Sequence, residues 1–94
     1  MEFLVHMEVG DLPAGDEGKK LLALESQSAR ELAAAGVLRR LWRIPGRRAN
    51  WGLWITGSID ELHEALSSLP LFPHMDMTVH PLAQHPNDPN LPLA

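Results

Sequence analysis

The stretch LRRLWRIPGRRANWGLW, residues 38–54, predicts a β-hairpin in the middle of the chain, around which the other elements are arranged. Aromatic and aliphatic residues lie on both sides of Pro45-Gly46, a pair that favours a turn between strands. We place the two strands at residues 37–44 and 50–56, and the connection between them is short enough for a hairpin. The second strand puts three apolar side chains on one face: Trp51, Leu53 and Ile55.

The hairpin also concentrates the basic residues of the chain. Five of the eight lysines and arginines lie here, together with all three tryptophans: Arg39, Arg40, Arg43, Arg47, Arg48, Trp42, Trp51 and Trp54. Guanidinium groups beside large rings suit the binding of a planar anion such as a carboxylate. Arg39 and Arg43 share their strand with Trp42 and other apolar residues, so some of the arginine side chains must lie beside buried surface. The alternative is that these arginines are exposed and only support solubility.

Apolar periodicity predicts a strand and a helix before the hairpin. The strand has apolar residues at every second position: Phe3, Val5, Met7 and Val9. A period near 3.6 then predicts a helix over residues 16–35, with Asp16 as its N-cap and Gly36 as its C-cap.

A second helix and a last strand follow the hairpin. Ser58 and Glu61 have the spacing of a capping box, and Pro70 and Pro73 prevent the helix from continuing. The inner stripe of this helix is Ile59, Leu62, Ala65, Leu66 and Leu69, and the last strand alternates through Met75, Met77 and Val79.

The element order β-α-β-β-α-β predicts an α+β, ferredoxin-like fold, with a four-stranded antiparallel sheet and two helices on one face. We expect one domain over residues 1–84 and a Pro-rich C-terminal arm over 85–94. The second sheet face would then be covered by a partner or kept as a pocket.

Composition excludes several classes of protein. The net charge of −4 argues against a nucleic-acid binder that works through overall charge. The absence of cysteine excludes disulfides and thiolate zinc sites. No apolar run approaches the roughly 20 residues that span a bilayer, and charges interrupt the apolar N-terminus, so we expect no membrane segment, no signal peptide and a cytoplasmic location.

Glu25 is the candidate acid/base residue. It lies four residues after Leu21 and seven before Leu32, on or beside the inward stripe of the first helix. Burial there should raise the pKa of its carboxyl unless a cation compensates, and a raised carboxyl suits proton transfer near neutral pH. The alternative is that Glu25 lies at the edge of the stripe and pairs with a surface arginine.

The five histidines do not predict a metal site. No two of them have the i, i+4 spacing of a metalloprotease helix, and no carboxylate cluster accompanies them. We therefore expect no metal, and because the chain has no Gly-rich phosphate loop it shows no cofactor motif either.

Four short blocks resemble the muconolactone Δ-isomerase family. They are LRRLWRIPG at 38–46, Ala49-Asn50 followed by an aromatic residue, Leu62-His63, and LPLFPHMD at 69–76, the most specific of the four. The resemblance runs from the first strand to His85-Pro86 and includes Glu25.

The resemblance implies a ferredoxin-like subunit that dimerises through the sheet, with dimers assembled into a decamer and sites at subunit boundaries. It implies a cofactor-free proton shift in a small unsaturated lactone carboxylate, in aromatic-acid catabolism. Glu25 then corresponds to the family's proposed proton carrier, and Arg39, Leu41, Trp42 and Arg43 align with its Arg-x-Leu-Trp-Arg stretch. We expect Arg39 and Arg43 to hold a substrate carboxylate or lactone carbonyl, with Trp42 as a wall of the site. The family commonly has a His-Tyr pair where this chain has Arg47-Arg48, which makes the substrate the open question.

We therefore expect an intramolecular isomerase. The alternatives are a related isomerase or cyclase acting on another unsaturated or polyketide-like acid, and a non-catalytic oligomer that binds a small ligand.

Overall fold

The four strands form one antiparallel sheet in the order β2-β3-β1-β4, with two helices, as the ferredoxin-like α+β prediction requires. This is seen in a computed structural model, which describes residues 1–90. The elements are β1 (Glu2–Val9), α1 (Asp16–Ala34), β2 (Leu38–Arg43), β3 (Ala49–Ile55), α2 (Ile59–Ser67), a single 3₁₀ turn (Phe72–His74) and β4 (Met75–Leu82). The last four residues of the predicted C-terminal arm lie outside the described residues, and the division at residue 84 stays a prediction.

The core lies between the sheet and the helices. Phe3, Val5 and Met7 alternate along β1 and are buried, as their period of two predicts. They pack with side chains from the hairpin strands, the second helix and the segment just after it: Leu38, Trp54, Leu62, Leu66 and Leu69. Burying a side chain of this size stabilises the fold by about 1.5–3 kcal/mol, so this cluster fixes which sheet face is covered.

Helix α1 begins at the predicted residue, but each of its caps lies one residue before the predicted cap. Gly15 is the N-cap and Asp16 is the first helical residue, so the N-cap predicted at Asp16 is wrong. Its carboxylate still lies in the first turn, where it interacts favourably with the helix dipole. At the other end Ala35 is the C-cap, and the N–H of the next residue, Gly36, donates to the Ala33 carbonyl oxygen. Gly36 has φ 79°, a left-handed conformation that glycine adopts readily and that ends the helix.

The start of α2 confirms Ser58 as the cap of the Glu61 amide, whereas the Glu61 carboxylate reaches back to Gly57, one residue before the N-cap. The Glu61 N–H donates to Ser58 Oγ at 3.1 Å, and the Gly57 N–H donates to Glu61 Oε2 at 2.8 Å. Leu62, Leu66 and Leu69 are buried as predicted, but Ile59 is half exposed. Ile59 is the first helical residue, and helical side chains lean towards the N-terminus, which carries it beyond the core.

The hairpin has the predicted turn. The Arg47 N–H donates to the Ile44 carbonyl oxygen at 3.3 Å, and Gly46 has φ 78° behind Pro45, which is the pattern of a type II turn. The strands pair from Leu38 opposite Trp54 to Arg43 opposite Asn50, with a β-bulge between Leu38 and Arg40.

This register divides the hairpin residues between the two sheet faces. Arg43 pairs with Asn50, and Leu41 pairs with Gly52. All four residues lie on the sheet face that carries the helices. Trp42 pairs with Trp51 on the other face. We call this second face the open face.

The open face carries a small aromatic cluster. The Trp51 ring lies between His6 and His80, at centroid distances of 4.9 and 5.7 Å. Leu53 and Ile55 share this face with Trp51, as predicted. Within residues 1–90, neither helix has the length and apolar character that crossing a membrane requires.

Candidate active site

A cavity of about 400 Å³ lies between α1 and the hairpin. Its lining comes from α1, the end of β1, both hairpin strands and the turn between them: Val9, Leu22, Leu41, Arg43, Arg48, Ala49 and Asn50. This volume falls in the range of small-molecule sites, which are mostly apolar with a few polar groups that fix orientation. The cavity is therefore the candidate site.

Two guanidinium groups supply the positive charge of the cavity. Arg43 comes from β2 and Arg48 directly precedes β3. In residues 1–90 the only ion pair joins Arg47 to Glu8 at the surface, so Arg43 and Arg48 have no carboxylate partner among the described residues. Both can therefore bind the carboxylate of a ligand.

Arg48 was not predicted as a site residue, although the sequence contained a signal for it. Residues 48, 50, 52 and 54 share one parity, opposite to that of the apolar face that begins at Trp51. Extending that alternation back past the start of β3 places Arg48 and Asn50 on the helix side.

Glu25 lies half-buried on the inward face of α1, as its position in the stripe predicts. Desolvation by burial raises the pKa of its carboxyl, and the Leu71 N–H, which donates to Glu25 Oε1 at 2.9 Å, acts in the opposite direction. Among residues 1–90, Glu25 forms no ion pair with an arginine. The structure therefore does not support the alternative in which Glu25 pairs with a surface arginine.

Glu25 and the cavity are neighbours along α1. Leu22 lines the cavity and precedes Glu25 by three residues, which places the two on the same helix face about 4.5 Å apart along the axis. Glu25 itself does not line the cavity in the single chain. A ligand that reaches from the arginines along α1 would therefore approach the carboxylate.

The other two predicted binding residues lie away from the cavity. Arg39 is exposed at the β-bulge of β2. Trp42 is exposed on the open face, where the Arg40 guanidinium lies 4.8 Å from its ring centre. The sheet separates Trp42 from Arg43 within one chain, and the substrate-binding roles of Arg39, Trp42 and Arg43 and the catalytic role of Glu25 stay predictions.

The arrangement can bind an anion close to a carboxyl group that can exchange a proton. Two cations and an amide side chain line an apolar cavity, and a carboxyl with a raised pKa lies one helical turn away. Within residues 1–90, no group of three or more histidines or carboxylates is placed to hold a metal ion.

Comparisons with known proteins agree with one another. The profile of the family described as muconolactone delta-isomerase matches residues 1–88. The Muconolactone Delta-isomerase of Cupriavidus pinatubonensis is 42% identical over 90 residues, covering 93% of this chain and 97% of that protein. The Muconolactone Delta-isomerase of Pseudomonas aeruginosa is 41% identical over 71 residues, covering 76% of this chain and 74% of that protein.

A solved structure extends the likeness to the fold. The crystal structure of muconolactone isomerase at 3.3 Å resolution has a TM-score of 0.87 and 38% sequence identity to this chain, and the match covers 98% of each chain. Profile, sequence and fold all agree over nearly the whole length, and the chain belongs to the muconolactone delta-isomerase family.

Proposed function

We propose that this protein is a cofactor-independent isomerase that moves a proton within a small unsaturated lactone carboxylate, in the breakdown of aromatic acids. The observation that carries the proposal is Glu25, a half-buried carboxyl with a raised pKa, one helical turn from a cavity with two uncompensated arginines. The names of the relatives point to the same substrate class.

Substrate binding would begin at the arginines. Arg43 and Arg48 hold the substrate carboxylate through charge-assisted hydrogen bonds, and Leu41 and Val9 pack against the ring. The ring then extends along α1 towards Glu25. Arg39, at the outer end of β2, adds to the positive field that draws the anion in.

Glu25 would carry the proton. Its ionised form removes a proton α or γ to the lactone carbonyl, and the C–H electron pair moves into the conjugated system to give a dienolate. The same carboxyl then returns the proton to the other end of that system, so the double bond moves and no oxidant or reductant is consumed. Burial supports this role because it makes the carboxylate a stronger base than an exposed glutamate.

We infer that the protein works as a homo-oligomer in the cytoplasm. Trp42 and Leu82 are exposed apolar side chains of β2 and β4, and Trp42 can reach a substrate cavity only if another subunit brings it there. A dimer formed through the open face covers both β2 and β4. The decamer implied by the family resemblance would be built from such dimers.

Replacing Glu25 with Gln tests the function. The assay follows the ultraviolet absorbance of a panel of lactone and enone acids incubated with the wild-type protein and with Glu25→Gln. We expect the variant to fold and to lose at least about 10²-fold in turnover, the usual contribution of a positioned acid/base group. Glu31→Gln is the matched control, because Glu31 is an exposed glutamate on the same helix. Near-normal turnover by Glu25→Gln would remove Glu25 from the mechanism.

Arg48 supports a second candidate, a related reaction on another unsaturated or polyketide-like acid. It adds a second cation to the cavity, and the resembling family commonly has a His-Tyr pair at the positions of Arg47 and Arg48. If the panel shows turnover of a larger or doubly charged acid and not of the simple lactone carboxylates, this candidate replaces the first. Binding of every acid without any change in absorbance would favour the non-catalytic alternative.

A further inference from the structure

Trp54 is a buried residue with an unused hydrogen-bond donor. It is 1% exposed, and its ring packs in the core with Phe3 and Leu38. Its Nε1 is buried and has no acceptor among residues 1–90. A buried indole N–H usually has a hydrogen-bond partner, so this donor is free to bind an acceptor that a ligand brings.

Gly52 shows where this N–H lies. A Cβ added to Gly52 would be 2.6 Å from Trp54 Nε1 and 3.4 Å from Leu41 Cδ1. Any side chain at position 52 would therefore displace the indole, which explains a glycine in the interior of a strand. Leu41 lines the cavity and Trp54 does not, so the indole N–H lies behind Leu41, above the Gly52 backbone, and a ligand in the cavity reaches it only when the Leu41 side chain moves aside.

Asn50 provides a second polar group on the same face. It lines the cavity two residues before Gly52, and its Oδ1 is buried without a partner among the described residues. A half-turn of the amide exchanges Oδ1 and Nδ2, so this position can present either an acceptor or a donor. Gly52 thus lies between two neutral polar side chains, Asn50 and Trp54, and neither Asn50 Oδ1 nor Trp54 Nε1 has a hydrogen-bond partner among residues 1–90.

We propose that Trp54 Nε1 and the Asn50 amide form a neutral subsite for the ring carbonyl oxygen of the substrate, while Arg43 and Arg48 hold its carboxylate. This rests on the proposed function. When Glu25 takes the proton, the C–H electron pair forms a carbon–carbon double bond and the carbonyl π electrons move onto the oxygen. The indole N–H donates to that oxygen as it becomes negative. When the electrons return and the far carbon takes the proton, the carbonyl is restored.

The arrangement favours the transition state over the bound substrate. A fixed donor in a dry site stabilises charge that develops during reaction more than a neutral carbonyl. The subsite also selects for substrates that carry a carbonyl in the ring, because an analogue without one leaves both polar groups unpaired.

Trp54→Phe, which keeps a ring and removes the N–H, is the kinetic test. On a lactone acid that the wild type converts, we expect kcat to fall roughly 10²-fold, as when one oxyanion donor is removed, while KM changes little. Trp51→Phe is the matched control, because Trp51 is on the open face. Equal kcat values for the two variants would overturn the subsite. If the wild-type protein converted none of the lactone and enone acids in the panel, that result would count against the proposed function instead.

A spectroscopic test on the wild-type protein does not depend on the folding of Trp54→Phe. The protein has three indole N–H signals in a ¹H–¹⁵N spectrum, and spectra of Trp42→Phe and Trp51→Phe assign the Trp54 signal by elimination. A saturated five-membered lactone acid, which keeps carbonyl and carboxylate but cannot isomerise, should move that signal downfield. Cyclopentane acetic acid, which lacks the carbonyl, should leave it in place. A Trp54 signal that moves with both acids would refute the proposal. A signal that moves with neither acid would also refute it, and would indicate that the indole N–H bonds Asn50 within the protein.

Discussion

Replacing Glu25 by Ala and by Gln should separate its hydrogen bond from its charge. Glu25 Oε1 accepts the N–H of Leu71, a buried residue directly before the 3₁₀ turn, so Glu25 links α1 to the segment that leads into β4. Glu25→Ala removes the acceptor and leaves the Leu71 N–H without a partner. Glu25→Gln keeps an amide oxygen in the same place and removes only the ionisable group.

The magnitude follows from the cost of leaving a buried donor unpaired. That cost is about 1–3 kcal/mol, so Glu25→Gln should be more stable than Glu25→Ala by this amount. Neither side chain titrates, and the difference between the two variants should therefore be the same at every pH at which both fold.

The comparison with wild type should depend on pH. Burial raises the pKa of Glu25 above its ordinary value of 4.5, so the folded protein holds this proton more tightly than the unfolded chain. The stability that this provides is fully present below pH 4.5 and is lost as pH rises through the raised folded pKa. Because Gln has no proton to lose, Glu25→Gln should gain stability relative to wild type as pH rises through that window.

Urea denaturation of the three proteins between pH 4 and 8 measures these free energies of unfolding. The two variants should give parallel curves, and the wild-type curve should fall relative to both as pH rises. Equal stability of Glu25→Ala and Glu25→Gln would show that the bond to Leu71 contributes nothing. A constant gap between wild type and Glu25→Gln would refute the raised pKa.

Two further predictions concern activity. Since Glu25 must be ionised to take a proton, kcat/KM should rise with pH along a limb whose midpoint lies above 4.5, and a midpoint at or below that value would contradict a buried catalytic carboxyl. Arg48→Met should raise KM roughly 10- to 100-fold, the equivalent of about 1.5–3 kcal/mol for a lost charged hydrogen bond. The matched Arg47→Met should leave KM unchanged and cost at most about 1 kcal/mol of stability, because Arg47 pairs with Glu8 at the exposed surface; equal effects of the two would contradict the assignment of Arg48 to the cavity.

The fold was predictable because its patterns are local. Alternation along β1, the capping box at Ser58 and the Pro45-Gly46 turn each act within a few residues, and together they specify the order of elements. The errors also have local causes. Asp16 has the right chemistry for an N-cap but Gly15 occupies that position, and Ile59 continues an apolar stripe beyond the end of the core.

The site was only partly predictable because it depends on which face each hairpin residue occupies. Glu25 could be placed from the helical period alone, and its half-buried position and raised pKa confirm that inference. Arg43 and Trp42 are adjacent in sequence, which suggested a single binding surface. In a strand, adjacent side chains point to opposite faces, and the β-bulge before Arg40 shifts the alternation relative to Leu38.

That alternation connects the chemistry of one chain to its assembly. In the proposed mechanism the helix side of the hairpin supplies Arg43, Arg48 and Asn50 around a cavity beside Glu25. In the proposed assembly the open side supplies exposed Trp42 and the Trp51 ring, which packs against His6 and His80. If Trp42 contacts substrate at all, it must do so in the cavity of a neighbouring subunit. A Trp42→Ala variant that stays fully active as a dilute monomer would then show that catalysis needs only the helix side of one chain.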